Sequence, residues 1–213
     1  MKILLFGATG TVGEGALRAC LRAPDVEEVL AVTRRTTGVT HERLRELHHD
    51  DFTDYSAIAE RLAGYDACFW CLGRSSRELD EAEYTRVTYE FPVAAAGALA
   101  PLAPDMAFFY VSALDADPRS KNAARRTKGL AEEAVLRLFP ETGCAVRPAF
   151  VQPTDPASAA RYSLGYRISV RLHPVLDRAL PRYVTTAEAI GRAMLDATRD
   201  KVPQRVLQGF DLR

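Results

Sequence analysis

A strand-like run, KILLF (2–6), breaks at once into GATGTVG (7–13) and then into a helix-length segment. That junction constrains the fold more than any other stretch. Three glycines spaced GxxGxxG allow a tight turn at Gly7 and a close backbone approach at Gly10. A helix then opens, with unpaired N–H groups in its first turn. Such a helix start attracts phosphate, because the N–H groups and the helix dipole both favour negative charge. The loop and first turn, Gly7, Thr9, Gly10, Thr11, Val12 and Gly13, are therefore the candidate cradle for a dinucleotide pyrophosphate. A strand that must turn this way into a helix belongs to a βαβ unit.

The rest of the chain repeats the alternation. Apolar strand-like runs recur at EVLAVT (28–33), DACFWCLG (66–73), MAFFYVSA (106–113) and CAVRPAF (144–150), with a short strand expected around Leu44–His48. Helical stretches lie between them at 13–23, 56–63, 81–100 and 128–139, the third kinked or broken at Pro92. Strands separated by helix-length segments give a parallel sheet covered on both faces, a doubly wound α/β architecture. Beyond about Gln152 the pattern becomes turn-rich, then amphipathic. It ends in a helix over 185–200 with a Thr N-cap and an edge strand within VPQRVLQGF. We expect one domain over 1–213, with 1–151 as the dinucleotide-binding core and 152–213 as a small helical cap and closing elements.

Charge and apolar content exclude several function classes. Lys plus Arg and Asp plus Glu are 28 each, so nothing pulls the chain toward nucleic acid. No apolar run reaches the roughly 18 residues of a membrane span. MKILLFGATG runs straight into a strand and a glycine turn, not a signal peptide, and the expected location is cytoplasmic.

The end of the second strand selects among dinucleotides. An acid there suits a ribose 2′-hydroxyl and an arginine suits a 2′-phosphate. AVTRR carries Arg34 and Arg35 and no acid, which favours NADP(H) while NAD(H) stays possible. HHDDF (48–52) holds metal-ligand types, but neighbours in an extended segment point alternately and no second cluster completes a set. No metal is expected, and Asp51 with Phe52 is expected to close on the adenine. CFWC (68–71) has redox spacing, yet residues three apart on a strand face opposite sides about 10 Å apart. Those thiols are expected in the core.

GATGTVG, the arginine after the second strand, DF at 51–52, CLGRSS at 71–76, YVSA at 110–113, Lys128 and VRPAFVQP at 146–153 together resemble an atypical short-chain dehydrogenase/reductase. The similarity is greatest to the NAD(P)-dependent epimerase/dehydratase-like and NmrA-like branch. The resemblance implies a Rossmann fold in which Leu72 and Gly73 pass the cofactor. It implies that Ser112 orients substrate, Lys128 binds the nicotinamide ribose, and Pro148 and Val151 border the nicotinamide. It also implies a tyrosine four residues before Lys128, where this chain has Ala124. Tyr84, Tyr89, Tyr162, Tyr166 and Tyr183 are candidate replacements outside the strands, and Tyr110 shares a strand face with Ser112. For each of them a packing role is the plainer reading.

Two functions remain open. One is an NADP(H)-binding oxidoreductase or epimerase-like protein acting on an unknown small molecule. The other is a non-catalytic, NmrA-like dinucleotide sensor that binds a protein partner. Arg161, Arg167, Arg171, Arg178 and Arg182 line one segment against a single acid, Asp177. One reading makes that segment an element for an anionic surface, a protein partner or a second copy of the chain, and another makes it a contact for an anionic substrate. The plainer reading is arginine stems packed beside a cap helix.

Overall fold

The computed structural model describes residues 1–153 and 183–212. Five strands read as unbroken or nearly unbroken apolar runs, as strands buried on both faces must. They are β1 (Lys2–Phe6), β2 (Glu28–Thr33), β4 (Ala67–Trp70), β5 (Ala107–Val111) and β6 (Gly143–Arg147). With β3 (Leu44–His48) and β9 (Val206–Gln208) they form one seven-stranded sheet in the order β3-β2-β1-β4-β5-β6-β9, every pairing parallel. The strand order reverses beside β1, so a crevice opens at the carboxyl ends of β1 and β4.

Side chains alternate across the sheet. Ile3, Leu5, Val29, Ala31, Phe69, Phe109 and Val146 pack on one face with α1 (Thr11–Arg22) and α6 (Ala187–Arg199). Leu4, Phe6, Leu30, Val32, Trp70, Phe108 and Tyr110 pack on the other with α4 (Phe91–Leu99) and α5 (Ala123–Leu138). The contact between α1 and α6 is close. A Cβ on Gly191 would come 2.6 Å from Ala16 Cα, and one on Gly15 would come 2.5 Å from Ala187 Cβ.

Several elements depart from the sequence reading. The stretch 144–150 is not one strand: β6 stops at Arg147, and a separate parallel pair, β7 (Phe150–Gln152) with β8 (Val184–Thr186), follows. Pro148, lacking an N–H, cannot continue the ladder. The helix expected at 128–139 begins a full turn earlier, with Asn122 as N-cap accepting from Arg125 N–H at 3.1 Å. The helix expected at 56–63 shrinks to α2 (Ala59–Leu62). Over 81–100 the helix is continuous but relaxed: α3 (Glu81–Thr85), a π-helical turn (Arg86–Glu90), then α4. The break thus falls just before Pro92. That residue has no N–H for the Thr88 carbonyl four residues back, and Tyr110 Oη donates to it instead, at 2.9 Å. The expected Thr cap of the last helix is Thr186, accepting from Ala189 N–H at 3.1 Å. The arginine-lined segment 161–182, with Tyr162 and Tyr166, lies outside the described residues.

Candidate dinucleotide site

The glycine loop is built as its spacing requires. Gly7 has φ of +77°, and a Cβ there would sit 2.5 Å from Leu72 N. Gly10 N–H closes the turn onto Gly7 O at 2.9 Å. Gly13 packs so tightly that a Cβ would overlap the Gly7 carbonyl. Gly10 differs: the nearest atom to a Cβ there is Gly7 O at 3.4 Å, with nothing else among the described residues beyond its chain neighbours within 4 Å. The described residues leave that position open, on the wall of a cleft. Gly10 is also the N-cap of α1 and has no side chain to satisfy the first-turn N–H groups.

The cleft measures about 430 Å³ and lies over the carboxyl ends of β1, β2 and β4. Eight predicted residues line it: Gly7, Thr9, Gly10, Arg34, Arg35, Phe52, Leu72 and Gly73. Arg34 lies over the buried Phe52 ring, 6.0 Å from its centroid. The Thr33 hydroxyl bonds Arg35 O at 2.6 Å, which shapes the backbone that presents both arginines. Among the described ion pairs neither arginine has a carboxylate partner.

Other predicted residues sit elsewhere. Thr11, Val12 and Gly13 form the first turn of α1 behind the wall. Asp51 is exposed and spends its carboxylate on Thr53, accepting from its N–H at 2.9 Å and its hydroxyl at 2.6 Å. Those bonds hold its pKa below the ordinary range. Ser112, Lys128 and Pro148 gather instead at the carboxyl ends of β5 and β6, while Val151 lies in β7, in register with Thr185 of β8. Ser112 N–H donates to Val146 O at 2.7 Å and Leu114 N–H to Pro148 O at 3.1 Å. The Ser112 hydroxyl is buried without a hydrogen-bond partner among the described residues. Lys128 Nζ donates to Val111 O at 3.2 Å and lies 5.5 Å from the Tyr110 ring centroid. Burial pushes its pKa down to about 8, while Glu132 and Asp115 pull the other way. Glu132, one turn along α5, is buried and held by the Arg147 guanidinium, whose Nε lies 3.1 Å from each carboxylate oxygen.

Sequence reasoning missed six residues of the cleft: Val32, Thr33, Cys71, Arg74, Val87 and Phe91. Arg74 stands inside the quoted CLGRSS. Val87 and Phe91 come from a helix far along the chain and carry no local signal. Cys68 is a core thiol as expected, whereas Cys71 is half-buried and lines the cleft; both are free. His48 and Asp50 are exposed and 3.7 Å apart, and the described residues hold no group of three or more metal-ligand side chains. No described helix is long and apolar enough to cross a membrane.

Comparison with known proteins bears on the fold and the family. A protein from Scheffersomyces stipitis named "Protein FMP52-1, mitochondrial" is 28% identical over 145 residues, covering 67% of this chain and 64%, just under two thirds, of that protein. A UDP-glucuronic acid 4-epimerase from Bacillus cereus, solved with NAD, superposes with a TM-score of 0.71 at 13% identity, over 98% of this chain and 76% of that one. A dTDP-glucose 4,6-dehydratase from Streptomyces venezuelae, also solved with NAD, gives 0.68 at 15% identity over 92% and 71%. At such identity the likeness concerns the fold. Residues 3–119, more than half the chain and the whole glycine-loop half of the sheet, match the model of the NAD dependent epimerase/dehydratase family, and the chain belongs to that family.

Proposed function

We propose that the protein is an NADP(H)-dependent oxidoreductase acting on a small molecule. The observation that carries the cofactor preference is the pair Arg34 and Arg35 on the cleft wall, unpaired among the described ion pairs and with no acid beside them. A guanidinium matches a 2′-phosphate in charge and in its forked donors. In this reading the first turn of α1 receives the pyrophosphate, the open position at Gly10 lets it approach, and Phe52 supports Arg34 from below. Lys128 would hold the nicotinamide ribose, and the buried Ser112 hydroxyl would find its partner in bound ligand. When bound, the dinucleotide supplies or accepts a hydride. The chain's residues hold it, exclude water and manage the accompanying proton.

Ala124 supports the second reading, a non-catalytic dinucleotide sensor, since α5 offers a methyl where a proton donor is expected. Calorimetric titration with NADPH, NADP⁺, NADH and NAD⁺ tests the first reading. NADPH should bind more tightly than NADH, and Arg34→Ala should weaken NADPH about tenfold or more while changing NADH little. Equal affinities unaffected by Arg34→Ala would refute the 2′-phosphate assignment. The sensor reading predicts instead that NADP⁺ and NADPH differ in affinity and that no carbonyl substrate is turned over.

A further inference from the structure

A second, smaller pocket of about 260 Å³ lies between the start of α3 and the start of α5. It is lined by Tyr84 and Ala124 together with Ser76, Asp80 and Asn122, among others. It has no lining residue in common with the dinucleotide cleft but draws on the same loop and the same helix. The loop after β4 gives Leu72, Gly73 and Arg74 to the cleft and Ser76 and Leu79 to the pocket. The next helix gives Tyr84 to the pocket and Val87 to the cleft, about 4.5 Å of helical rise apart. Ala124 is one turn before Lys128 on the same face of α5.

The tyrosines are not equivalent. Tyr55 is in the core beneath the cleft, and Tyr110, equally buried, has its hydroxyl committed to Thr88 O. Tyr65 Oη is spent on Glu28 at the amino end of β2, 2.7 Å away. Tyr183 is exposed. Tyr84 alone among the described tyrosines lines the pocket that Ala124 leaves open. Asp115, whose carboxylate pairs with Arg125 Nε at 2.7 Å, acts electrostatically on both Tyr84 and Lys128. Burial raises the Tyr84 pKa against a side-chain hydrogen bond with Thr88, so the phenol keeps its proton at neutral pH.

We propose that Tyr84 is the proton donor of this protein, reaching in from α3 to do what Ala124 cannot do from α5, and that the pocket they share receives a small, non-anionic aldehyde or ketone. The proposal rests on the oxidoreductase reading. The carboxylates of Asp80 and Glu81 on the pocket wall repel anions and so argue against an acidic substrate. The hydride that the dinucleotide supplies forms the new C–H bond and sends the π pair of the C=O bond to oxygen. The Oη–H bond of Tyr84 breaks, its proton goes to that oxygen, and the phenolate regains a proton from water.

The test uses the whole protein, Tyr84→Phe, and Tyr84→Phe combined with Ala124→Tyr, with a panel of short aldehydes and ketones. NADPH affinity is measured first. Wild type should oxidise NADPH with at least one panel member. Tyr84→Phe should lower kcat/KM about 10²–10⁴-fold with NADPH affinity within twofold, and the added tyrosine should restore part of the loss. A second readout needs no turnover: in the NADP⁺ complex, the ¹³Cζ resonance assigned to Tyr84 should shift on adding the carbonyl compound, and that of Tyr110 should not. Absent NADPH binding would sink the parent reading. With NADPH bound, an inert wild type, full activity in Tyr84→Phe, or an unmoved Tyr84 resonance would each overturn the role of Tyr84 alone.

Discussion

Lys128 is where burial and charge compete most directly. Its amine ordinarily titrates at 10.5 and here at about 8, because desolvation outweighs Glu132 and Asp115. A base with a depressed folded-state pKa destabilises the fold while it is charged. The cost is fully present below pH 8 and is relieved as pH rises from about 8 to 10.5, where the unfolded chain still holds the proton. Lys128→Met should therefore be more stable than wild type at pH 7, by up to about 3 kcal/mol. The gap should close by pH 10.5, as urea unfolding across that range would show. A constant gap would mean that Lys128 titrates normally. The sequence marked this lysine, and Ser112 beside it, only through a resemblance. It could not show that Arg147 occupies both oxygens of Glu132, because that bidentate pair joins residues fifteen apart through the sheet.

Among the elements, the relaxed helix over 81–99 shows how a local rule is met by a distant partner. Pro92 marks a break in any reading of the sequence, but the remedy comes from β5, through Tyr110 Oη and Thr88 O. Tyr110→Phe should cost about 1–2 kcal/mol by leaving that carbonyl buried and unmet. In a Pro92→Ala background the new N–H can serve Thr88 O, and the cost of Tyr110→Phe should fall by half or more. A double-mutant cycle of chemical unfolding measures that coupling, and strict additivity would disprove the shared carbonyl. The strands were legible because parallel strands buried on both faces read as apolar runs. Helix ends were less so: Asn122 was available as a cap signal for α5, whereas the shortness of α2 follows from packing that no local pattern encodes. The split at Pro148 needed only the missing N–H.

For the molecule as a whole, the sheet order places the cleft. The glycine loop announced the β1 half of the cleft, and the arginines announced the β2 edge. Val87 and Phe91 close the opposite wall and belong to a helix that reaches the cleft only once the sheet has formed. A ligand spanning such a site should stabilise the fold by mass action. NADPH at a hundred times its dissociation constant adds about 2.7 kcal/mol. For a chain this long, that corresponds to a rise in Tm of about 5–10 °C. Thermal denaturation should show that rise for NADPH, less for NADH at equal concentration, and no difference between the two in Arg34→Ala/Arg35→Ala. A shift of equal size for both dinucleotides in wild type would refute the arginine preference.

The close crossing of α1 and α6 bears on how the site is made in time. The helix that follows the glycine loop leaves the ribosome about 165 residues ahead of the helix that braces it. Until Ala187 and Gly191 arrive, the face of α1 bearing Gly15, Ala16 and Ala19 has no counterpart, and the loop ahead of it stands on an unsupported helix. A nascent chain therefore carries a recognisable dinucleotide motif well before the helix beneath that motif is braced.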